Sequence, residues 1–306
     1  MKEEGSTEAE IIEAIFSNRN IHELNEYLEA HPTLDLTQLT DSQGNTVLHQ
    51  LAYEGHLDII RLFAKQAKEH LQSAASARKK NLYVRDEGQE VSLWMNTRNK
   101  EGFTPLLYAA YNGHIDIIRY LVEEHRVNQN ATTNSGLNAL HLAAQRNMLL
   151  PFLYFRSSID VNLADKVKTT PLHWASYMNS EQVVGYLLSL EELTSLDARD
   201  EEGNTPLMLA VNYGNTRIVR KLLIKGADRY LESSDGKTPL TIAKENEYKT
   251  ITKMLNEEYT CLDMLKFYCN VKIEYKPKKR KLTFPLLFIV SFLVVVGGLN
   301  ALLEFS

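Results

Sequence analysis

The fold is decided by a short recurring stretch of sequence, which reads Gly102-Phe103-Thr104-Pro105-Leu106 in one of its copies. The residues at the threonine position of successive copies, 46, 104, 138, 170, 205 and 238, are 58, 34, 32, 35 and 33 positions apart. A period near 33 residues indicates a repeat architecture. The longer first interval predicts one repeat plus an insertion of 25 residues. The other copies are Gly44-Asn45-Thr46-Val47-Leu48-His49, Gly136-Leu137-Asn138-Ala139-Leu140-His141, Thr169-Thr170-Pro171-Leu172-His173, Gly203-Asn204-Thr205-Pro206-Leu207 and Gly236-Lys237-Thr238-Pro239-Leu240.

Each residue type in the copies has a mechanical reason. Glycine permits the positive φ that a tight turn requires. Threonine is suited to cap the helix that follows, and proline is tolerated in the first turn of that helix. Small pairs such as Ala109-Ala110 let adjacent helices approach closely, and apolar spacing as in Ile218, Leu222 and Leu223 predicts a second helix. Gly226 is expected to end one of these second helices.

These copies resemble the ankyrin repeat, which reads Gly-x-Thr-Pro-Leu-His-x-Ala-Ala and continues with Gly-His, as in Gly55-His56 and Gly113-His114. The resemblance implies an all-α solenoid of helix-turn-helix repeats with β-turn fingers, in about six repeats over residues 41–257. The insertion is expected at about 67–93, and residues 1–40 are predicted to form an N-terminal helical cap. The copies depart from the pattern at Asn138-Ala139, which replaces Thr-Pro, and at Lys168, which takes the place of the turn glycine.

A solenoid of this kind is expected to bind a protein or peptide on the concave face lined by the first helices. Tyrosine suits recognition because it supplies a large amphipathic surface at a small entropic cost. The competing interpretation is that the rings merely cover the small Ala pairs. The predicted partner-binding residues, which follow or adjoin those pairs, are Tyr53, Tyr111, Asn112, Trp174, Tyr177 and Tyr213.

The sequence does not predict enzymatic chemistry in the repeat body. It carries no Gly-rich phosphate loop after a strand, no nucleophile elbow and no evident carboxylate pair. His49, His141 and His173 share one repeat position, so translation along the stack separates them, and they are interpreted as buried structural residues rather than metal ligands. No cofactor and no metal are expected. Residues 1–260 carry 27 basic and 36 acidic groups, a balance that disfavours nucleic-acid binding.

The C-terminal region indicates a membrane anchor. Residues 282–303 contain no charge and would span about 33 Å as a helix, enough for the hydrocarbon core of a bilayer. By the positive-inside rule, the preceding basic linker (258–281) places the repeat body in the cytosol. A nuclear localisation signal is the alternative interpretation of the same basic run. The basic residues flanking the predicted span are Lys276, Lys278, Lys279, Arg280 and Lys281.

The order of repeats, basic linker and span resembles the N-terminal half of the ankyrin-type Asp-His-His-Cys protein S-acyltransferases, or palmitoyltransferases. Pro171-Leu172-His173-Trp174-Ala175 is similar to a repeat of that family, in which tryptophan replaces the usual leucine. The family resemblance implies that the repeats recruit substrates, but this chain has no Cys cluster and no second span. We therefore expect a single-pass, membrane-anchored scaffold. The alternative is the substrate-recruiting part of such an enzyme, with acyl transfer possible only if the chain continues beyond Ser306. A nuclear ankyrin regulator, a third class, would require that the apolar tail be absent.

Overall fold

The computed structural model describes residues 40–65 and 94–256. Regular structure in these residues is helical, apart from an isolated bridge between Thr40 and Thr46. The predicted N-terminal cap (1–40, except Thr40), insertion (67–93), linker (258–281) and span (282–303) lie outside the described residues. Among the residues described, no helix is long and apolar enough to cross a membrane.

Within the described ranges, six helix pairs follow one another. The second helix of repeat two continues into a π-helical turn, Tyr120–Glu124. The first helices are α1 (Val47–Glu54), α3 (Pro105–Asn112), α5 (Ala139–Gln145), α7 (Pro171–Tyr177), α9 (Pro206–Asn212) and α11 (Pro239–Glu245). The second helices are α2 (57–65), α4 (Ile115–Arg119), α6 (Leu149–Phe155), α8 (Glu181–Leu187), α10 (Thr216–Lys225) and α12 (Lys249–Asn256).

The helix starts follow the predicted capping chemistry. The hydroxyl oxygens of Thr104, Thr205 and Thr238 each accept a hydrogen bond from the backbone N–H three residues on, with proline at the next position. In repeat three the departure from the pattern preserves the cap, because Asn138 Oδ1 accepts from the N–H groups of Leu140 and His141. The capping role of this position therefore tolerates a change of side chain.

The helices form two layers. Consecutive first helices pack against one another, from α1 on α3 to α9 on α11, and α4, α6, α8, α10 and α12 form a parallel series beside them. Ala109, Ala110, Ala143, Ala144 and Ala175 are fully buried between the first helices, as predicted for residues that permit close approach. The core is therefore one continuous apolar layer between the two series of helices.

Fingers of the β-turn type join one repeat to the next. In the finger of repeat two, the Asn99 N–H donates to the Phe103 carbonyl and the Gly102 N–H donates to the Asn99 carbonyl. Neighbouring fingers are joined by backbone bonds such as Asn134 N–H to the Glu101 carbonyl. In repeat four, Lys168 adopts φ +60° where the other described fingers have glycine, so it takes the left-handed turn conformation itself.

Candidate protein-binding face

The first helices present a row of aromatic side chains, here called the first-helix face: Tyr53, Tyr108, Tyr111, Trp174, Tyr177 and Tyr213. Tyr53 and Tyr213 are the most exposed of them, at 44% and 51%. Tyr108, Tyr111, Trp174 and Tyr177 are half-buried. Tyr111 and Trp174 also pack against the apolar core, so these two side chains have a structural contact beside their predicted role in binding.

Trp174, Tyr177 and Tyr213 form one cluster across repeats four and five. The ring centroids of Trp174 and Tyr177 are 6.0 Å apart, and those of Tyr177 and Tyr213 are 4.3 Å apart, both edge to face. A hydrogen bond with Tyr177, together with burial, raises the pKa of Tyr213. These predicted residues are therefore brought together.

The tryptophan of this cluster is oriented by the finger of its own repeat. Trp174 Nε1 donates to Asp165 Oδ2 at 3.2 Å. The other oxygen of that carboxylate accepts from the N–H groups of Val167 and Thr169 in the finger turn. The indole plane is thus fixed by a carboxylate that is itself fixed by backbone donors.

A second aromatic cluster joins repeats one and two. Tyr53 meets Tyr108 edge to face at 5.6 Å, and Tyr108 stacks on Phe103 at 4.8 Å. Asn99 Nδ2 donates to the Tyr108 hydroxyl at 3.1 Å, and burial raises the pKa of Tyr108. Tyr108 was not among the predicted residues, although it occupies the repeat position of Trp174, four residues after the capping threonine, and that register could have identified it.

Tyr111 belongs to neither cluster. The Arg146 guanidinium of repeat three lies 5.0 Å from the centroid of its ring, a cation–π contact. This pair lies between the two clusters in repeat order and adds a positive charge to the first-helix face. Arg146 was also missed as a candidate, because its contact with Tyr111 depends on the placement of the next repeat.

The amide of Asn112 takes part in packing between repeats. Its Nδ2 donates to the Tyr53 carbonyl at 2.7 Å. The corresponding bond at the last junction is made by Asn246 Nδ2, which donates to the Asn212 carbonyl at 3.4 Å. Asn112 therefore has a structural contact beside its predicted role in partner binding, which stays a prediction.

The three motif histidines bond to neighbouring turns, as predicted. The Nε2 atoms of His49, His141 and His173 lie 3.0, 3.0 and 3.1 Å from the carbonyl oxygens of Phe103, Thr169 and Asn204, each in the next repeat. Since a carbonyl only accepts, Nε2 carries the proton and Nδ1 is left to accept. Burial lowers the pKa of His49 and His141 to about 4 and also lowers that of His173. Within 40–65 and 94–256, no group of His, Cys, Asp or Glu is arranged to hold a metal ion.

The architecture defines a class of protein: a solenoid of helix-turn-helix repeats joined by β-turn fingers. The family model described as ankyrin repeats matches residues 71–165, 148–231 and 190–264. The chain belongs to the ankyrin-repeat family.

Comparison with curated proteins finds relatives of varied function. The chain is 29% identical over 163 residues to palmitoyltransferase AKR1 of Lachancea kluyveri. The aligned region covers 52% of this chain and 21% of that protein. It is 32% identical over 162 residues to neurogenic locus notch homolog protein 1 of Danio rerio, and this alignment covers 48% of the chain and 7% of that protein. It is 30% identical over 186 residues to alpha-latrotoxin-Lg1a of Latrodectus geometricus, and this alignment covers 50% of the chain and 14% of that protein. The aligned part is thus at most about a fifth of each relative's length, and what these relatives share with the chain is a repeat module suited to protein–protein interaction.

Proposed function

We propose that this protein is a membrane-anchored ankyrin scaffold that binds a protein partner on its concave first-helix face, at the cytosolic surface of a membrane. The observation that carries the binding proposal is the cluster of Trp174, Tyr177 and Tyr213, in which exposed aromatic edges are held in place by contacts within the repeats. Rings that are ordered before binding lose little conformational freedom when a partner arrives.

The domain organisation is part of the proposal. It comprises an N-terminal helical cap (1–40), six repeats (41–257) with an insertion at about 67–93, a basic juxtamembrane linker (258–281) and a membrane span (282–303). Support for the linker and span comes from the charge and hydropathy of the sequence.

The double variant Tyr111→Ala, Tyr177→Ala tests the binding face. These two half-buried residues lie on different first helices, and repeats three and five have the polar residues Gln145 and Asn212 at the corresponding positions. Aromatic residues at the centre of an interface typically cost about 2 kcal/mol or more of binding free energy when truncated, so we expect capture of cytosolic partners to fall by at least an order of magnitude.

The matched control for this test is Leu150→Ala with Leu153→Ala. Both leucines are exposed, at 62% and 38%, and lie on α6, a second helix outside the first-helix face. We expect normal capture by this control and a folded chain with a cooperative thermal transition in both variants. Normal capture by the tyrosine variant would place binding elsewhere on the molecule.

Extraction and protease protection test the anchor. The full chain is expected to resist alkaline carbonate, and deletion of 282–303 is expected to release it. Protease added outside intact vesicles should digest the repeats. Changing the five flanking basic residues to Gln should weaken the orientation bias. Release of the full chain by carbonate would contradict the span, and protection of the repeats would contradict the orientation.

A second candidate function is favoured by the similarity to palmitoyltransferase AKR1 and by the segment that contains Trp174. In this alternative, the repeats recruit substrates for a palmitoyltransferase whose catalytic domain is not in this chain. A transcript that continues in frame beyond Ser306 into further spans and an Asp-His-His-Cys sequence would establish it. A supported stop codon after Ser306 would favour the scaffold.

A further inference from the structure

The charge of the repeat body reverses along its length. Residues 94–215 carry 9 basic and 13 acidic groups, whereas residues 216–256 carry 9 basic and 5 acidic groups. The two second helices in the latter segment, α10 and α12, contain no acidic residue. Their basic residues are Arg217, Arg220, Lys221, Lys225, Lys249 and Lys253.

The spacing of these residues brings like charges together. Arg217, Lys221 and Lys225 follow one another at i, i+4 and i+8, and Lys249 and Lys253 are four apart. Like charges at i, i+4 are neighbours on a helix surface and destabilise it. By contrast, α4 and the π-helical turn after it place Glu123 four residues after Arg119, with 3.2 Å between the charged atoms. The last two second helices therefore gather positive charge without an acidic residue of their own.

Two of the basic residues have roles within the fold. Arg217 Nη1 lies 3.3 Å from Glu181 Oε1, and Lys221 Nζ donates to the Glu181 backbone carbonyl at 2.9 Å. Among the described residues, none forms an ion pair with Arg220, Lys225 or Lys249, and all three side chains are exposed.

The acidic groups next to this surface are few. Glu247 lies in the turn before α12, where it shares a shallow surface depression with Lys244, Lys249 and Lys253. Asp228 follows α10, and Glu257 and Glu258 follow α12 in the sequence. The six basic residues of the two helices outnumber these four acidic residues, and we name Arg220, Lys225, Lys249 and Lys253 the basic face.

We propose that the basic face lies against anionic phospholipid headgroups at the membrane surface. This inference rests on the proposed anchor for its location, since α12 ends 20 residues before the basic run 276–281 that precedes the predicted span. Clustered lysine and arginine residues next to an anionic bilayer gain electrostatic free energy for each charge near the surface. Lipid contact would fix the direction in which the first-helix face meets its partners.

Lysine labelling in vesicles tests the contact. The full chain is reconstituted into vesicles of phosphatidylcholine alone, or of phosphatidylcholine with phosphatidylserine, and treated with an amine-reactive reagent before peptide mass spectrometry. In the anionic vesicles we expect several-fold less labelling of Lys225 and Lys249, with no change at Lys100 and Lys166, which lie in the fingers. High salt should abolish the difference, because it screens exposed charges.

Charge reversal supplies the matched variants. Arg220→Glu with Lys225→Glu and Lys249→Glu removes the basic face, while Arg98→Glu with Lys100→Glu and Lys166→Glu makes the same charge change in the fingers. The remaining lysine of the basic face, Lys253, should lose its protection in the first variant and keep it in the second. Equal labelling of Lys225 and Lys249 in the two kinds of vesicle would overturn the proposal.

Failure of the anchor gives a different result. A chain without a membrane span would not float with phosphatidylcholine vesicles. If it had the basic face alone, it would float with the phosphatidylserine vesicles only, and the first charge-reversal variant would not float with either.

Discussion

Repeats three and four share one backbone but depart from the repeat pattern at different positions. Repeat three keeps the turn glycine, Gly136 at φ +88°, and changes the cap to Asn138. Repeat four keeps the threonine and proline and places Lys168 at φ +60° in the turn. The finger thus requires a backbone conformation and the helix start requires an acceptor oxygen, and each requirement can be met by a residue of another type.

The largest expected effect concerns what the two repeats have in common, their buried histidine. Burial lowers the pKa of His141 to about 4 in the folded chain, against an ordinary value of 6.5. In the unfolded chain the His141 imidazole therefore binds a proton below about pH 6.5, whereas in the folded chain it does so only below about pH 4. The contribution of His141 to the free energy of unfolding is fully present above about pH 6.5. It falls as the pH drops between the two pKa values and levels off below about pH 4. From about pH 7 to about pH 5, His141 should remove on the order of 2 kcal/mol from the free energy of unfolding.

Denaturant unfolding at both pH values measures this loss. His49 and His173 act in the same direction, because burial also lowers the pKa of each. Glutamine does not titrate in this range. On acidification, His141→Gln should therefore lose less free energy of unfolding than the parent chain, and the difference is the contribution of His141. An equal loss in the parent and the variant would contradict the assignment.

The next effect sharpens the difference between the two turns. Gly136→Ala places a Cβ at φ +88°, only 2.9 Å from the backbone nitrogen of Lys166 in the next finger. An L-residue in the left-handed region costs about 1–2 kcal/mol, and the contact with Lys166 adds to that cost. We expect a clear fall in the thermal midpoint. Gly226→Ala is a useful comparison, since its φ is +99° but its added Cβ would meet no atom within 4 Å. Equal losses in the two variants would show that the finger contact contributes nothing.

The smallest effect has the opposite sign. Lys168→Gly removes the strain of a side chain at φ +60° while freeing the unfolded backbone. The two contributions leave a net gain of about 0.5 kcal/mol. Thermal unfolding is measured beside Lys166→Gly, the same change two positions earlier in the same finger, so that the effect of the positive φ is isolated. Destabilisation by Lys168→Gly would mean that the Lys168 side chain makes a contribution that outweighs the strain.

Much of the fold could be predicted from the sequence because its determinants are local. The caps at Thr104 and Thr205, proline at the first helical position and Gly226 at a helix end each depend on residues within one turn. The clustering of Tyr177 and Tyr213 on the first-helix face follows from positions seven and eight residues after their caps, while their role in binding stays a prediction.

The unpredicted part of the site depends on contacts between repeats. Arg146 over Tyr111, Tyr108 against Tyr53 and the Asn112 amide on the Tyr53 carbonyl each join residues of neighbouring repeats. Their geometry is set by the rotation from one repeat to the next, which no residue spacing within a repeat contains. The Trp174–Asp165 bond is local, nine residues apart, but the sequence does not indicate which acceptor the indole will use.

The junction between the first two fingers has a consequence for the order of folding. Asn99 Nδ2 donates to Asn45 Oδ1, two residues that are 54 positions apart in the sequence. At the next junction, Asn134 Nδ2 donates to the Lys100 carbonyl, and these residues are 34 positions apart. Loss of chain entropy makes closing the 54-residue loop cost about 0.4 kcal/mol more free energy than closing the 34-residue loop, so encounters between its ends are rarer in the unfolded chain. Repeats two to six are therefore expected to nucleate folding, and repeat one to join a stack that already exists.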